Sequence, residues 1–205
     1  FSSIYGWNTP ASLSITITTG QTTSNTATYI RQTGNVTCTL TPSEAVGSGA
    51  QWRLTTGTNT NWQNSGATLY GVAVASFTVQ CKSVSGWYTP AQQAVEIPNN
   101  ATTNLTLEYQ RMTGSVVCVI TPAGAITDGA QWRMLSGADT NWHNSGEILT
   151  GVPTGVYTQS YKTVTGWLAL ADQPCIVTEN AVTTNQAVYT PRLSLNPTNA
   201  VVDDR

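Results

Sequence analysis

From Thr33 to Thr41 apolar and polar side chains alternate: Val36, Cys38 and Leu40 share one parity, and Asn35, Thr37 and Thr39 share the other. A period of two is the mark of a half-buried strand, packed on one face and wet on the other. The same parity returns at Ala50, Trp52 and Leu54 against Gln51 and Arg53, at Phe77, Val79 and Cys81, at Val95 and Ile97, and at Leu105, Leu107 and Tyr109. Turn formers such as Asn64-Ser65-Gly66 and Asn99-Asn100 separate these runs, at the short intervals of a β-sandwich rather than the longer ones of βαβ units. The pattern predicts about seven strands between residues 32 and 111, a short one over 60–64 among them, and requires no helix.

The pattern then repeats at an offset of 80 residues. TGNVTCTLTP at 33–42 meets TGSVVCVITP at 113–122, GAQWR at 49–53 meets GAQWR at 129–133, and TNWQNSG at 60–66 meets TNWHNSG at 140–146. Between 33–109 and 113–189, 33 of 77 positions are identical, which establishes an internal duplication. GWNTPA at 6–11 matches GWYTPA at 86–91, and Tyr29 matches Tyr109 and Tyr189, so residues 1–31 read as the C-terminal part of a repeat. SLNPTNAV at 194–201 resembles TLTPSEAV at 39–46, so 193–205 read as the first strand of a further repeat or as a strand-exchange tail. The complete repeats are 32–111 and 112–192. Two explanations of the partial copies stand side by side. The residues are a slice of a longer tandem array, or the tail of one subunit, through Leu193, Leu195 and Val201, completes residues 1–31 of the next in an open head-to-tail arrangement.

Composition narrows the function classes. Only 9% of residues are charged and the net charge is −2, which excludes an electrostatic nucleic-acid binder. With 40% apolar residues the chain has enough hydrophobic surface for real cores, and its 36 threonines suit strand faces. No apolar run approaches the roughly 20 residues of a membrane span, and the first residues lack the basic and apolar regions of a signal peptide. A surface of Thr and Asn with few charges packs against itself with little repulsion. Asn35-Val-Thr, Asn100-Ala-Thr and Asn104-Leu-Thr are N-glycosylation patterns.

Each complete repeat owns two cysteines. The economical pairing is Cys38 with Cys81 and Cys118 with Cys175, two intradomain disulfides that imply an oxidising compartment, although four cysteines formally allow three connectivities. No C-x-x-C occurs and the sole histidine is His143, so neither a metal site nor a cofactor is expected. His143 replaces Gln63 of the preceding copy and reads as a polar turn residue; the acids do not recur between copies, and no nucleophile motif is present, so no catalytic residue is assigned. The seven tryptophans fall at three repeat positions, which favours core roles. Trp62 and Trp142, beside Asn61, Asn64, Asn141 and Asn144, are the candidates for stacking against a sugar ring.

TGSVVCVITPAGAITDGAQWR, TNWHNSG, LTGVPTGVYTQSYKTVTGW and ENAVTTNQAVY together resemble a bacterial extracellular tandem repeat, similar to PEGA-like and immunoglobulin-like β-sandwich modules of secreted and cell-surface proteins. Gly151 to Thr158 resembles the PEGA-type turn and strand, while the first copy has Ala73, Val74 and Ala75 where the second has Pro153, Thr154 and Gly155. The resemblance implies an all-β fold of tandem immunoglobulin-like β-sandwich repeats of about 80 residues, located outside the cell or at its surface. It implies display, spacing, adhesion or assembly and brings no catalytic residues. The expectation is a non-catalytic structural subunit or segment of a bacterial surface filament, stalk or sheath, whose partners are copies of itself or neighbouring repeats. The alternative is an adhesin or carbohydrate-binding array whose partners are surface glycans.

Overall fold

The computed structural model describes residues 1–192. The chain divides into two compact units, Phe1–Gln110 and Arg111–Arg205. In the first, a ribbon of β1 (Trp7–Asn8) and β2 (Ile30–Arg31) precedes β3 (Thr33–Thr41), α1 (Ser43–Gly47), β4 (Trp52–Leu54), β5 (Thr68–Ala73), β6 (Ser76–Cys81), β7 (Trp87–Tyr88), β8 (Gln93–Glu96) and β9 (Thr102–Glu108). After β10 (Gln110–Arg111), the second unit repeats the series as β11 (Thr113–Thr121), α2 (Ala123–Thr127), β12 (Trp132–Met134), β13 (Ile148–Pro153), β14 (Gly155–Tyr161), β15 (Gln173–Val177) and β16 (Val182–Val188).

Each unit holds an immunoglobulin-like sandwich of two three-stranded sheets, ordered β5-β3-β9 and β4-β6-β8 in the first unit and β13-β11-β16 and β12-β14-β15 in the second. The central strand β3 runs antiparallel to β5 and parallel to β9, with Leu40 opposite Leu107. The parity along β3 explains the layering: Val36, Cys38 and Leu40 are buried, and the threonines between them face outward. Trp52 and Leu54 of β4 and Val79 and Cys81 of β6 meet them from the other sheet, and Val95, Ile97, Leu107 and Tyr109 close the same core. Trp132, Met134, Val116, Cys118 and Ile120 rebuild that core in the second unit. Trp52 and Trp132 are fully buried, each with its indole N–H donating to the carbonyl of Asn64 or Asn144 at 3.0 Å, so neither polar atom is left unpaired.

Two local expectations are corrected. A short helix follows the first strand of each sandwich, where none was required. Pro42 and Pro122 open these helices, and Ala45 and Ala125 are buried against the core. Five residues carry too little apolar periodicity to show in a sequence. The strand expected over 60–64 is a single bridge, Gln63 opposite Trp52, because the neighbouring residues curl around Asn59, whose side chain accepts a hydrogen bond from the Asn61 amide.

Residues 9–29 contain no assigned strand, although 13–16 and 22–28 correspond to β8 and β9. In the complete sandwich β8 pairs with β6 and β9 pairs with β3. Ile15 and Ile17 are 55% and 77% exposed, whereas their equivalents Val95 and Ile97 are 3% and 1% exposed.

Candidate functional site

A concavity lies at the open side of the first sandwich, between the edge strands β4 and β5. It is a cleft of about 740 Å³. Leu54, Leu69, Val72 and Phe77 line it with apolar surface, the loop after β4 contributes Thr58, Asn59 and Gln63, β5 contributes Tyr70, and Arg31 of β2 is its one charged residue. Gly57 is required at the wall: its φ is +107°, and a Cβ there would stand 3.1 Å from the Phe77 ring. The corresponding space in the second unit is about 50 Å³. Three replacements accompany the difference. Met134 stands for Leu54, Pro153 for Ala73, and Tyr157 for Phe77, with the Tyr157 hydroxyl donating to the Pro153 carbonyl at 2.8 Å. The phenylalanine has no hydroxyl with which to draw that edge shut.

Trp62 and Trp142, the expected stacking residues, are half-buried, and each has a guanidinium 4.5 Å above its ring, from Arg53 and Arg133 respectively. One face of each indole is therefore already occupied by a cation. Arg53 is itself held by two bonds to the Gln80 side-chain carbonyl, at 3.0 and 2.9 Å. The recurring lysines are also engaged: Lys82 donates to Gln51 at 3.1 Å and Lys162 to Gln131 at 2.8 Å.

His143 departs from the turn-residue expectation. It is buried, its Nδ1 lies 2.8 Å from Glu147, its Nε2 lies 3.5 Å from Asp139, and its ring stacks 5.0 Å from Trp132. The hydrogen bond from His143 and the Asn144 amide hold the Glu147 carboxyl below its usual range; the Asn141 amide, followed by the His143 charge, does the same for Asp139. The spacing of these residues, four apart in each step, was the available signal. The first unit has Asn59, Gln63 and Ala67 instead, so the cluster belongs to one repeat alone. Among the described residues no group of three or more His, Cys, Asp or Glu is arranged to hold a metal ion.

The four cysteines are buried free thiols, so the expected bridges are not formed in this structure. Burial first, and the charge of Cys81 second, push the Cys38 thiol up to about 12; burial and then Cys175 push Cys118 up to about 11. Burial also raises Cys81 and Cys175. A thiol held protonated is a poor partner in exchange, because the thiolate is the reacting form. The proposed exchange residues Leu193, Leu195 and Val201 lie outside the described residues.

No protein-family model matches the sequence, and no curated protein matches it. Solved structures do resemble the fold. The Bacillus anthracis TIE protein superposes with a TM-score of 0.55 at 13% identity over 82% of this chain and 36% of its own. A pilus adhesin, SpaC from Lactobacillus rhamnosus GG, does so with a TM-score of 0.51 at 11% identity over 81% of this chain and 32% of its own. The chain thus spans about a third of the length of these structures. Both likenesses establish the fold, and neither carries the PEGA-like resemblance of residues 151–158 further. Among the described residues no helix is long and apolar enough to cross a membrane.

Proposed function

We propose that this chain is a non-catalytic, repeat-built part of a bacterial surface structure, a filament, stalk or sheath, placed outside the cell or on its surface. The observation that carries the reading is the use of one sandwich twice, with the positions of Val36, Cys38, Ala45, Ala50, Trp52 and Tyr109 kept in both cores while the acidic side chains do not recur between copies. A scaffold must preserve its packing, whereas an enzyme must preserve its reacting groups. The fold it shares with a pilus adhesin supports the same reading. Copies of the chain, or neighbouring repeats of a longer one, are the partners. In the assembly segment 193–205 of one copy, through Leu193, Leu195 and Val201, adds to the exposed row of Ile15 and Ile17 in the next. In the oxidising exterior Cys38 joins Cys81, and Cys118 joins Cys175.

Negative-stain electron microscopy of the purified chain tests assembly. Head-to-tail filaments that vanish on deletion of 193–205 support it; a monodisperse monomer for both proteins overturns it.

A second, adhesive reading is favoured by the cleft, which only one of the two sandwiches opens to this extent. A glycan array probed with the chain and with Trp62→Ala and Trp142→Ala separates the two uses of tryptophan. Binding by the wild-type chain supports adhesion, and its loss in a folded Trp62→Ala or Trp142→Ala variant puts the sugar on that indole.

A further inference from the structure

We propose that the cleft between β4 and β5 of the first unit binds a carboxylate-bearing sugar of an acidic glycan. The inference rests on the adhesive reading and names its site and ligand class. Its volume, about 740 Å³, lies within the range of small-ligand sites, and its lining combines an apolar floor with a few polar groups at the mouth. Tyr70 is 78% exposed at that mouth and offers a ring face for stacking.

The polar groups select the ligand. Asn59 uses its carbonyl oxygen on the Asn61 amide, and Gln63 uses its amide nitrogen on the Asn61 carbonyl. What remains includes the Nδ2 donors of Asn59 and the Oε1 acceptor of Gln63, on two residues that line the same cleft. Donors and acceptors lining one cleft match sugar hydroxyls, each of which both gives and accepts a hydrogen bond. A hydrocarbon chain over the same atoms would strand them without partners.

Arg31 sets the charge. It stacks 5.1 Å from the Trp7 ring, makes no ion pair among the described residues, and is the cleft's only charged side chain. A guanidinium with an unfilled fork pairs with a carboxylate in two parallel hydrogen bonds. The second unit's small cavity is lined by Asp139 and by no basic residue. The guanidinium at the first cleft and the carboxylate at the second cavity favour an anionic ligand in the first.

The test is an NMR titration of the 205-residue chain with trigalacturonate, its methyl ester and decanoate. Trigalacturonate is expected to give saturable shifts at Gly57 to Gln63 and at Tyr70, with none at Met134 to Pro153. The methyl ester, and the acid against Arg31→Gln, should each bind about tenfold more weakly, the loss of one charge-assisted contact. Phe77→Tyr, which restores the hydroxyl that closes the second unit, should abolish the shifts. Absence of saturable shifts with trigalacturonate overturns the assignment, as does equal binding of acid and ester, or tighter binding of decanoate. Because Arg31 is exposed, its variant keeps the test valid even where Phe77→Tyr perturbs folding. If the array detects glycan binding that Arg31→Gln and Phe77→Tyr leave intact, adhesion stands and this cleft does not; if the array detects none, both fall.

Discussion

Tyr109 donates its phenolic proton to the backbone carbonyl of Lys82 at 2.6 Å, and Tyr189 does the same to Lys162 at 2.6 Å. Both rings are buried. The bond ties the end of the last strand of each sandwich to the residue that leaves β6, or β14, so it fastens one sheet to the chain departing from the other. Tyr109→Phe keeps the ring and removes the tie. It should cost about 1 kcal/mol, the ordinary net value of one hydrogen bond, because the freed carbonyl belongs to an exposed residue that water can reach. Urea unfolding of the variant against the wild type measures it; an unchanged midpoint would show that the hydroxyl contributes nothing.

Gly34 lies at the bulge in β3, between the pairings Gly34–Val72 and Val36–Leu69. A Cβ there would collide with the Pro98 carbonyl and stand 2.8 Å from that of Ala101, both backbone groups that cannot rotate away. Gly34→Ala should therefore destabilise the first unit by about 2 kcal/mol or more, as overpacking against a fixed neighbour does. Gly66→Ala has open space around its Cβ and suffers only the cost of its positive φ. Thermal unfolding should rank Gly34→Ala well below Gly66→Ala, and the reverse order would contradict the close approach.

The parity of Val36, Cys38 and Leu40 made the strand and its buried face legible, because burial on one side of a sheet leaves a period of two in any sequence. The duplication made the second sandwich legible from the first. Helix α1 was not, since five residues span little more than one turn. The cleft was hidden for another reason: Phe77 against Tyr157 and Leu54 against Met134 are conservative exchanges, and only their three-dimensional neighbours turn them into an open or a shut edge. Trp62 stands out in the sequence as a tryptophan beside amides, but the Arg53 guanidinium over its ring is a contact between strand and loop that spacing cannot reveal.

The Arg53–Trp62 contact predicts a coupling that a double-mutant cycle reads. Arg53→Ala and Trp62→Ala together should cost less than the sum of the two alone, by about 0.5–1 kcal/mol for a partly exposed pair. Trp52→Ala, by contrast, empties a fully buried site and should cost about 3–5 kcal/mol. Strict additivity of the first pair would mean that the stacking contributes nothing to stability.

The cluster of His143, Asp139 and Glu147 predicts an acid limb confined to the second unit. Both carboxyls are held below their ordinary values of 3.8 and 4.5, so the folded state binds protons less readily than the unfolded chain. Their contribution is complete above about pH 4.5, shrinks as the pH falls through the lowered folded values, and is absent once both states are protonated. Both carboxylates are open to solvent, so salt should flatten the effect. Melting temperatures between pH 6 and 3 should fall more steeply for the wild type than for Asp139→Asn/Glu147→Gln; parallel curves would show that the cluster does not stabilise the fold.

The thiols supply the last prediction. Closing Cys38 to Cys81 and Cys118 to Cys175 would constrain long loops of the unfolded chain, and the chain-entropy treatment gives about 4 kcal/mol for each. The chain secreted into an oxidising medium should therefore lose four hydrogens in intact mass, yield those two linked peptide pairs on non-reducing digestion, and melt well above the reduced chain. A pH series separates the two forms further. Burial raises all four thiols above 9.0 in the folded, reduced state, so thiol-linked stability is complete below pH 9 and is lost as the pH rises through the folded values. The oxidised chain has no thiol to titrate, and its alkaline limb should fall to the buried tyrosines alone. Secreted protein with four alkylatable thiols, or with a Cys38–Cys118 linkage, would refute the pairing.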